Sequence, residues 1–258
     1  MVPDAPALSV VVPIHDEVES IPTLYAELDT ALKDHPGGVE LILVDDGSTD
    51  GSLALLDALA KQDPAVHVIA LDRNHGQSTA LAAGFERARG DVIVTLDADL
   101  QNDPRDIPLL LAELGRADVV NGVRVGRTEG FVRRSSSRIA NAFRNWLTEE
   151  SVTDVGCSLR AMRSGYVRKL KPFHGMHRFL PTLLRLEGAR VVEIPVSHRP
   201  RRFGRSKYGI ANRLGVGIVD VLAVRWMQRR AVRWREREAA PGSGSGANAP
   251  RPATRRPA

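Results

Sequence analysis

The sequence predicts an α/β fold, a mostly parallel sheet with helices on both faces. Three observations predict it. Short, strand-length apolar runs alternate with segments whose apolar residues recur at helical spacing. The runs are apolar throughout rather than at every second residue, the mark of strands buried on both faces. Polar clusters follow successive runs, and in parallel sheets ligands bind beyond the carboxyl ends of the strands.

In order along the chain, Leu8 to Pro13 reads as the first strand and Ile21 to Leu32 as the first helix, with Ile21, Leu24, Tyr25, Leu28 and Leu32 on one stripe. Val39 to Val44 is the second strand and Leu53 to Leu59 the second helix. Val66 to Leu71 is a strand, Ser78 to Ala88 a helix and Asp91 to Leu96 a strand. The polar clusters are His15-Asp16-Glu17, Asp45-Asp46-Gly47-Ser48, Asp72-Arg73-Asn74 and Asp97-Ala98-Asp99. The second half is less regular. Ile107 to Leu114 reads as a helix, Val119-Val120 as a strand entering Gly122-Val123-Arg124, Phe131 to Leu147 as an amphipathic helix and Val191 to Val196 as a strand. Arg199 to Tyr208 is a basic loop, and Ile210 to Arg237 reads as one long helix. After Ala239 the composition turns to Pro, Gly, Ser, Ala and Arg, which cannot bury a core and is expected to be disordered.

The chain has 258 residues, enough for one large domain or two small ones, with 43% hydrophobic and 26% charged residues, as in ordinary globular proteins. A single cysteine, Cys157, excludes an intramolecular disulfide framework and a Cys-rich zinc site. The start has no positively charged segment of the signal-peptide kind, and no run of about 18 apolar residues suggests a membrane span. The expectation is a cytoplasmic protein. The net charge of +5 is unevenly spread. From His198 onward there are 15 Lys and Arg against 3 Asp and Glu, which leaves 21 basic and 28 acidic residues before it. An acidic body with a basic arm points to an anionic surface as partner.

Asp97 and Asp99 follow a fully apolar strand. Two carboxylates two residues apart at a strand end can turn toward one cation. Mg²⁺ or Mn²⁺ takes such oxygen ligands, keeps water or substrate phosphate in its other positions, and neutralises a diphosphate leaving group. Gln101 could add an amide oxygen. Asp45-Asp46-Gly47-Ser48-Thr49-Asp50 is a turn into a helix, with Ser48, Thr49 or Asp50 as N-cap. Its adjacent carboxylates could accept hydrogen bonds from a base N–H or a ribose hydroxyl.

These motifs, with Val12-Pro13-Ile14-His15-Asp16-Glu17 ahead of them, resemble the family-2 glycosyltransferases of GT-A (Rossmann-like) fold. Within these, the chain resembles the polyprenyl-phosphate sugar transferases, typified by dolichyl-phosphate mannose synthase. Asp154-Val155-Gly156-Cys157-Ser158-Leu159-Arg160, His177-Arg178-Phe179-Leu180-Pro181 and the segment from His198 to Gly209 narrow the likeness, which covers about residues 8–228.

The resemblance implies roles by position. Pro13, His15, Glu17, Val44 and Asp46 would hold the nucleoside, although His15 and Asp16 stand where the family usually has tyrosine and asparagine. Asp97, Asp99 and Gln101 would hold the metal, Mg²⁺ or Mn²⁺, and Ala98 would line the donor pocket. Arg124 would face the phosphates. Arg133 and Ser137, four apart on one helix face, resemble a clamp for the acceptor phosphate. Arg201 and Lys207 would close over the donor diphosphate. The implied reaction moves a sugar from a nucleotide-diphosphate sugar to a polyprenyl phosphate, dolichyl- or undecaprenyl-type, with inversion. That acceptor is already anionic and needs little base help. Asp99 and Arg124 would be catalytic, with Asp154 orienting the acceptor or acting as a weak base.

The division expected is a catalytic domain over 1–209, an amphipathic helix over 210–238 and a disordered basic tail over 239–258. The apolar stretch Val216 to Val224 is interrupted by Asp220 and too short to span a bilayer. Arg225, Trp226, Arg229, Arg230, Arg233 and Trp234 suit a helix lying on anionic lipid at the inner face of the membrane. Three alternatives stand beside this reading. The same fold could act on a saccharide hydroxyl. A nucleotidyltransferase would show a Gly- and Arg-rich loop where this chain has His15-Asp16-Glu17-Val18-Glu19. A nucleic-acid binder using the basic arm leaves the strand-end carboxylates unexplained.

Overall fold

The computed structural model describes residues 6–125, 144–150, 152–203 and 211–232, with the backbone only for 211–216. Its strands are β1 (Leu8–Ile14), β2 (Val39–Asp45), β3 (Val66–Ala70), β4 (Val92–Thr95), β5 (Val119–Arg124), β6 (Arg160–Arg163) and β7 (Val191–Val196). The helices are α1 (Ile21–Leu32), α2 (Ser52–Gln62), α3 (Gln77–Arg87), α4 (Ile107–Glu113), α5 (144–148), α6 (Ser164–Val167), α7 (Leu180–Leu186) and α8 (Ala211–Arg230).

The strands form one sheet in the order β3-β2-β1-β4-β6-β5-β7. Successive residues of each central strand feed opposite faces. Leu8, Val10, Val12, Leu41, Leu43 and Val94 pack with α1, α2 and α4, while Val11, Ile42, Val44 and Ile93 pack with α3, α7 and α8. Both faces are therefore dry, which is why the strands read as unbroken apolar runs.

All the strands are parallel except β6, which is antiparallel to both β4 and β5. The sequence reading did not contain β6. It is four residues long with arginine at both ends, so it has no apolar run to announce it. Its direction matters. Thr95 at the end of β4 pairs with Arg160 at the start of β6, so the segment 154–158 arrives beside Asp97.

The helix expected over 131–147 falls mostly outside the described residues; residues 144–148 are helical. The long C-terminal helix ends at Arg230 rather than Arg237, and Ala231 and Val232 are already out of it. The helix is no free arm. Val221 and Val224 are buried in the same core as α3 and α7, and Gln228 donates to the Thr148 carbonyl at 2.8 Å. Ile218, Val219, Leu222 and Trp226 are exposed. No helix among the described residues is long and apolar enough to cross a membrane.

Candidate active site

The site lies where β1, β2, β3 and β4 end. Ile14 pairs with Asp45 and Asp45 with Ala70, so the turns that follow these strands share one rim of the sheet. The turns after β1 and β2 are knitted together by hydrogen bonds. Asp16 N donates to Ser48 Oγ at 2.9 Å, Thr49 N to Asp16 Oδ1 at 2.7 Å, Glu17 N to Ser52 Oγ at 3.0 Å and Val18 N to Asp50 Oδ2 at 3.0 Å. Asp16 has φ +48°, in the left-handed region that Asp and Asn tolerate, so the departure from asparagine keeps the backbone option open. The expected N-cap residues are used in this network, and α2 starts only at Ser52, whose N–H bonds Asp50 Oδ1 at 2.9 Å. A cavity of about 410 Å³ opens here, lined by Asp16, Glu17, Val18, Glu19, Thr49, Asp50 and Phe203.

Asp97 and Asp99 face the same rim. Burial, together with the neighbouring Asp99 carboxylate, pushes the Asp97 carboxyl up to about 6, against the opposing pull of Ser158, Arg160 and Arg124. Asp99 is buried, and its Oδ1 accepts the Gln101 N–H at 3.1 Å. Arg201 Nη2 donates to Asp99 Oδ2 at 2.6 Å, while its Nη1 stands 3.5 Å from Glu17 Oε1. Three expected site residues from three distant segments thus meet.

This donor set fits a divalent cation. Two crowded carboxylates, one of them pushed toward its neutral form, gain from a positive charge between them. Among the described residues no three His, Cys, Asp or Glu side chains converge. Of the described residues, these two carboxylates would hold the ion and leave its remaining positions to water or phosphate, the usual habit of Mg²⁺. Gln101 enters through its backbone N–H on Asp99.

Other expected residues are placed differently. Arg124 and Asp154, read as two separate catalytic groups, are partners of each other. Arg124 Nε and Nη2 grip Asp154 Oδ2 and Oδ1 at 2.7 and 2.8 Å, and the Arg124 N–H adds a bond at 3.2 Å. Asp46, expected to hold the nucleoside, turns both oxygens to the adjacent turn and accepts His75 N and Gly76 N at 2.7 and 2.8 Å. Its neighbour Asp45 has a buried Oδ1 without a hydrogen-bond partner. Val44 and Ala98 are buried in the two cores, so their side chains are not open to a ligand. Pro13 lies opposite Val44 in the sheet, and His15 Nε2 is 3.4 Å from Asp16 Oδ2. Arg133, Ser137 and Lys207 lie outside the described residues.

The structure also recruits residues that the sequence reading did not place. Ser158 Oγ accepts the Asp97 N–H at 3.1 Å, and its carbonyl accepts Thr95 Oγ1 at 2.7 Å. Arg199 anchors the strand-like segment that carries Arg201. It bonds both Glu27 oxygens at 2.8 Å, forms an ion pair with Asp103, and its N–H reaches the Gln101 carbonyl at 2.9 Å. Gln77 Nε2 donates to Asp97 Oδ1 at 2.7 Å. Ser158 and Arg199 sat in motifs already quoted. Gln77 had only its place just beyond the polar cluster after the third strand.

The model of glycosyl transferase family 2 matches residues 9–171. The chain belongs to glycosyl transferase family 2. Among relatives, it is 44% identical over 207 residues to the undecaprenyl-phosphate 4-deoxy-4-formamido-L-arabinose transferases of Yersinia pestis (strain Pestoides F) and of Serratia proteamaculans (strain 568). Each match covers 79% of this chain and 63% of the relative, so the chain spans somewhat under two thirds of their length. Among solved structures, glucosyl-3-phosphoglycerate synthase from Mycobacterium tuberculosis, in complex with Mn²⁺, uridine diphosphate and glucosyl-3-phosphoglycerate, aligns with TM-score 0.63 at 21% identity over 87% of this chain and 80% of that one. The mannosyltransferase PcManGT from Pyrobaculum calidifontis, in complex with GDP-Man and Mn²⁺, aligns with TM-score 0.59 at 19% identity over 79% of this chain and 59% of that one. These two likenesses show the GT-A fold of this family-2 chain.

Proposed function

We propose that this family-2 chain transfers a sugar from a nucleotide-diphosphate sugar to a polyprenyl phosphate, with a divalent cation and with inversion. The observation that carries the reading is the Asp97/Asp99 pair at the end of β4, with Arg201 reaching Asp99 and Glu17 across it. The names of the relatives, which act on undecaprenyl phosphate, support the acceptor class. An oxygen of the acceptor phosphate attacks the anomeric carbon, the bond from that carbon to the donor diphosphate breaks, and the nucleoside diphosphate leaves. A cation held by Asp97 and Asp99 would neutralise that leaving group.

This chain's own groups do the rest. The turns after β1 and β2 shape the nucleoside side, with Pro13, His15, Glu17 and Asp45 along it and Asp46 ordering it from behind. Arg201, once released from Asp99, can follow the diphosphate; Lys207 is proposed to join it. Arg124 and Asp154 form a rigid wall at the end of β5. Arg133 and Ser137 are proposed for the acceptor phosphate. Bringing two anionic substrates together needs such an excess of cationic groups.

The exposed Ile218, Val219, Leu222 and Trp226 of α8, followed by Arg229 and Arg230, suit peripheral docking on an anionic bilayer, each basic residue contributing about 1 kcal/mol near the surface. The test of function is a panel of nucleotide sugars with undecaprenyl phosphate, with Mn²⁺ or Mg²⁺ and with EDTA. Transfer to the lipid that EDTA abolishes is expected; transfer only to a saccharide hydroxyl would sink the acceptor assignment. Membrane docking is tested by co-sedimentation with phosphatidylglycerol liposomes. Binding at low salt and release at high salt are expected; no binding at any salt would remove the membrane from the reading.

A further inference from the structure

Three consecutive residues at the β3–α3 junction tie together the two halves of the donor site. His75 N and Gly76 N hold the Asp46 carboxylate at the end of β2, at 2.7 and 2.8 Å. The next residue, Gln77, sends its side-chain amide to Asp97 Oδ1 at 2.7 Å, just beyond β4. Gly76, at φ +90°, lets the chain aim two successive N–H groups at one carboxylate before α3 begins.

The junction is itself held firmly. A Cβ on Gly47 would lie 2.3 Å from the Arg73 carbonyl carbon, so the two turns touch backbone to backbone. On the other side, Ser78 Oγ is 2.8 Å from His177 Nδ1 and accepts the Gly175 N–H at 3.0 Å. Gln77 therefore starts from a fixed backbone, and its amide reaches Asp97 from a fixed direction.

The chemistry of the donor matters as much as its position. Asp99 is covered by Arg201, a cation that competes with a metal ion for the same oxygen. Asp97 is met by a neutral amide on Oδ1, with the neutral Ser158 hydroxyl also at its carboxyl. Such a donor fixes the plane of a carboxylate without cancelling its charge, and leaves the second oxygen for a cation. Partners of this kind behind a ligating carboxylate are worth about 10–100-fold in metal affinity.

We infer that Gln77 is a positioning residue for the divalent cation, holding Asp97 Oδ1 so that Asp97 Oδ2 is presented to the metal. This rests on the metal-dependent reading above. The test is Mn²⁺ binding to the 258-residue protein, followed by the electron paramagnetic resonance of free Mn²⁺, alone and with uridine diphosphate, with protein-free blanks subtracted. Gln77→Met keeps the length and volume of the side chain but removes the donor; Gln77→Ala removes both. The expected result is a loss of about tenfold or more in Mn²⁺ affinity in each variant, with the thermal midpoint and circular dichroism of Gln77→Met unchanged. Equal Mn²⁺ affinity in wild type and Gln77→Met overturns the inference and leaves the metal reading standing. A wild-type protein that binds no Mn²⁺ overturns both. If affinity falls only in step with the thermal midpoint, Gln77 is a structural residue and the inference is likewise overturned.

Discussion

Two arginine–aspartate pairs frame the site, and they are built differently. Arg124 and Asp154 form a two-pronged fork with a third bond from the Arg124 N–H, and both side chains are nearly buried, at 14% and 8% exposure. Arg201 and Asp99 share one short bond, Arg201 is divided between Asp99 and Glu17, and its side chain is 28% exposed. A fork with fixed geometry on strand-end backbone holds a wall in place. A guanidinium shared between two acids at the cleft can be displaced by a stronger cation and then meet a phosphate. Opposite charges side by side are therefore built for rigidity in one place and are proposed for exchange in the other.

The sharpest way to break this comparison is to remove the exchangeable acid. Asp99→Ala is expected to lower transfer at least about 100-fold, the scale for losing electrostatic stabilisation of a leaving group, while circular dichroism stays native. Near wild-type turnover, especially with EDTA present, would show that Asp99 holds no metal. The rigid pair should fail in the other currency. Arg124→Ala strands Asp154 as a buried charge and is expected to cost about 3–5 kcal/mol in urea unfolding. Arg201→Ala, whose guanidinium is 28% exposed and shared between two acids at the cleft, should cost less stability than Arg124→Ala yet raise the KM for the nucleotide sugar. If the two arginine variants lose equal stability, the distinction between wall and exchangeable group is void.

A smaller effect probes the anchor behind Arg201. Burial would raise the Asp103 carboxyl, but hydrogen bonds from Arg105 and Arg199 outweigh it and hold Asp103 well below the usual carboxylate range. A group depressed in the folded state contributes stability that is complete above its unfolded value, about 4, and fades as pH falls below it. Asp103→Asn is therefore expected to lose about 1–2 kcal/mol at pH 7 and to approach wild type as the pH is taken to 3. A constant difference across that range in urea unfolding would mean that packing, not charge, sets the anchor.

Much of the site was legible from the chain alone, and for a local reason. Asp97, Asp99, Glu17 and Asp45-Asp46 sit at the ends of apolar runs, and a run that is buried on both faces must deliver its last residue to one rim. Arg201 was legible only through its motif. Gln77 was not legible, because a glutamine at the start of a helix looks the same whether it faces water or a carboxylate 20 residues away. Nor was the partnership of Arg124 with Asp154, 30 residues apart, since each could be given a separate task.

The sequence by itself determined the series of buried strands, the helices between them and the rim that carries the acids, because hydrophobic periodicity is a local property. Only the tertiary structure decided which charge meets which. β6 runs against its neighbours, brings Ser158 to Asp97 and sets Arg160 beside Asn121. The tertiary structure also packs α8 on the domain through Val221 and Val224. The reason is physical: hydrogen bonds and ion pairs act over a few ångströms, and those distances between remote segments exist only after the sheet has assembled.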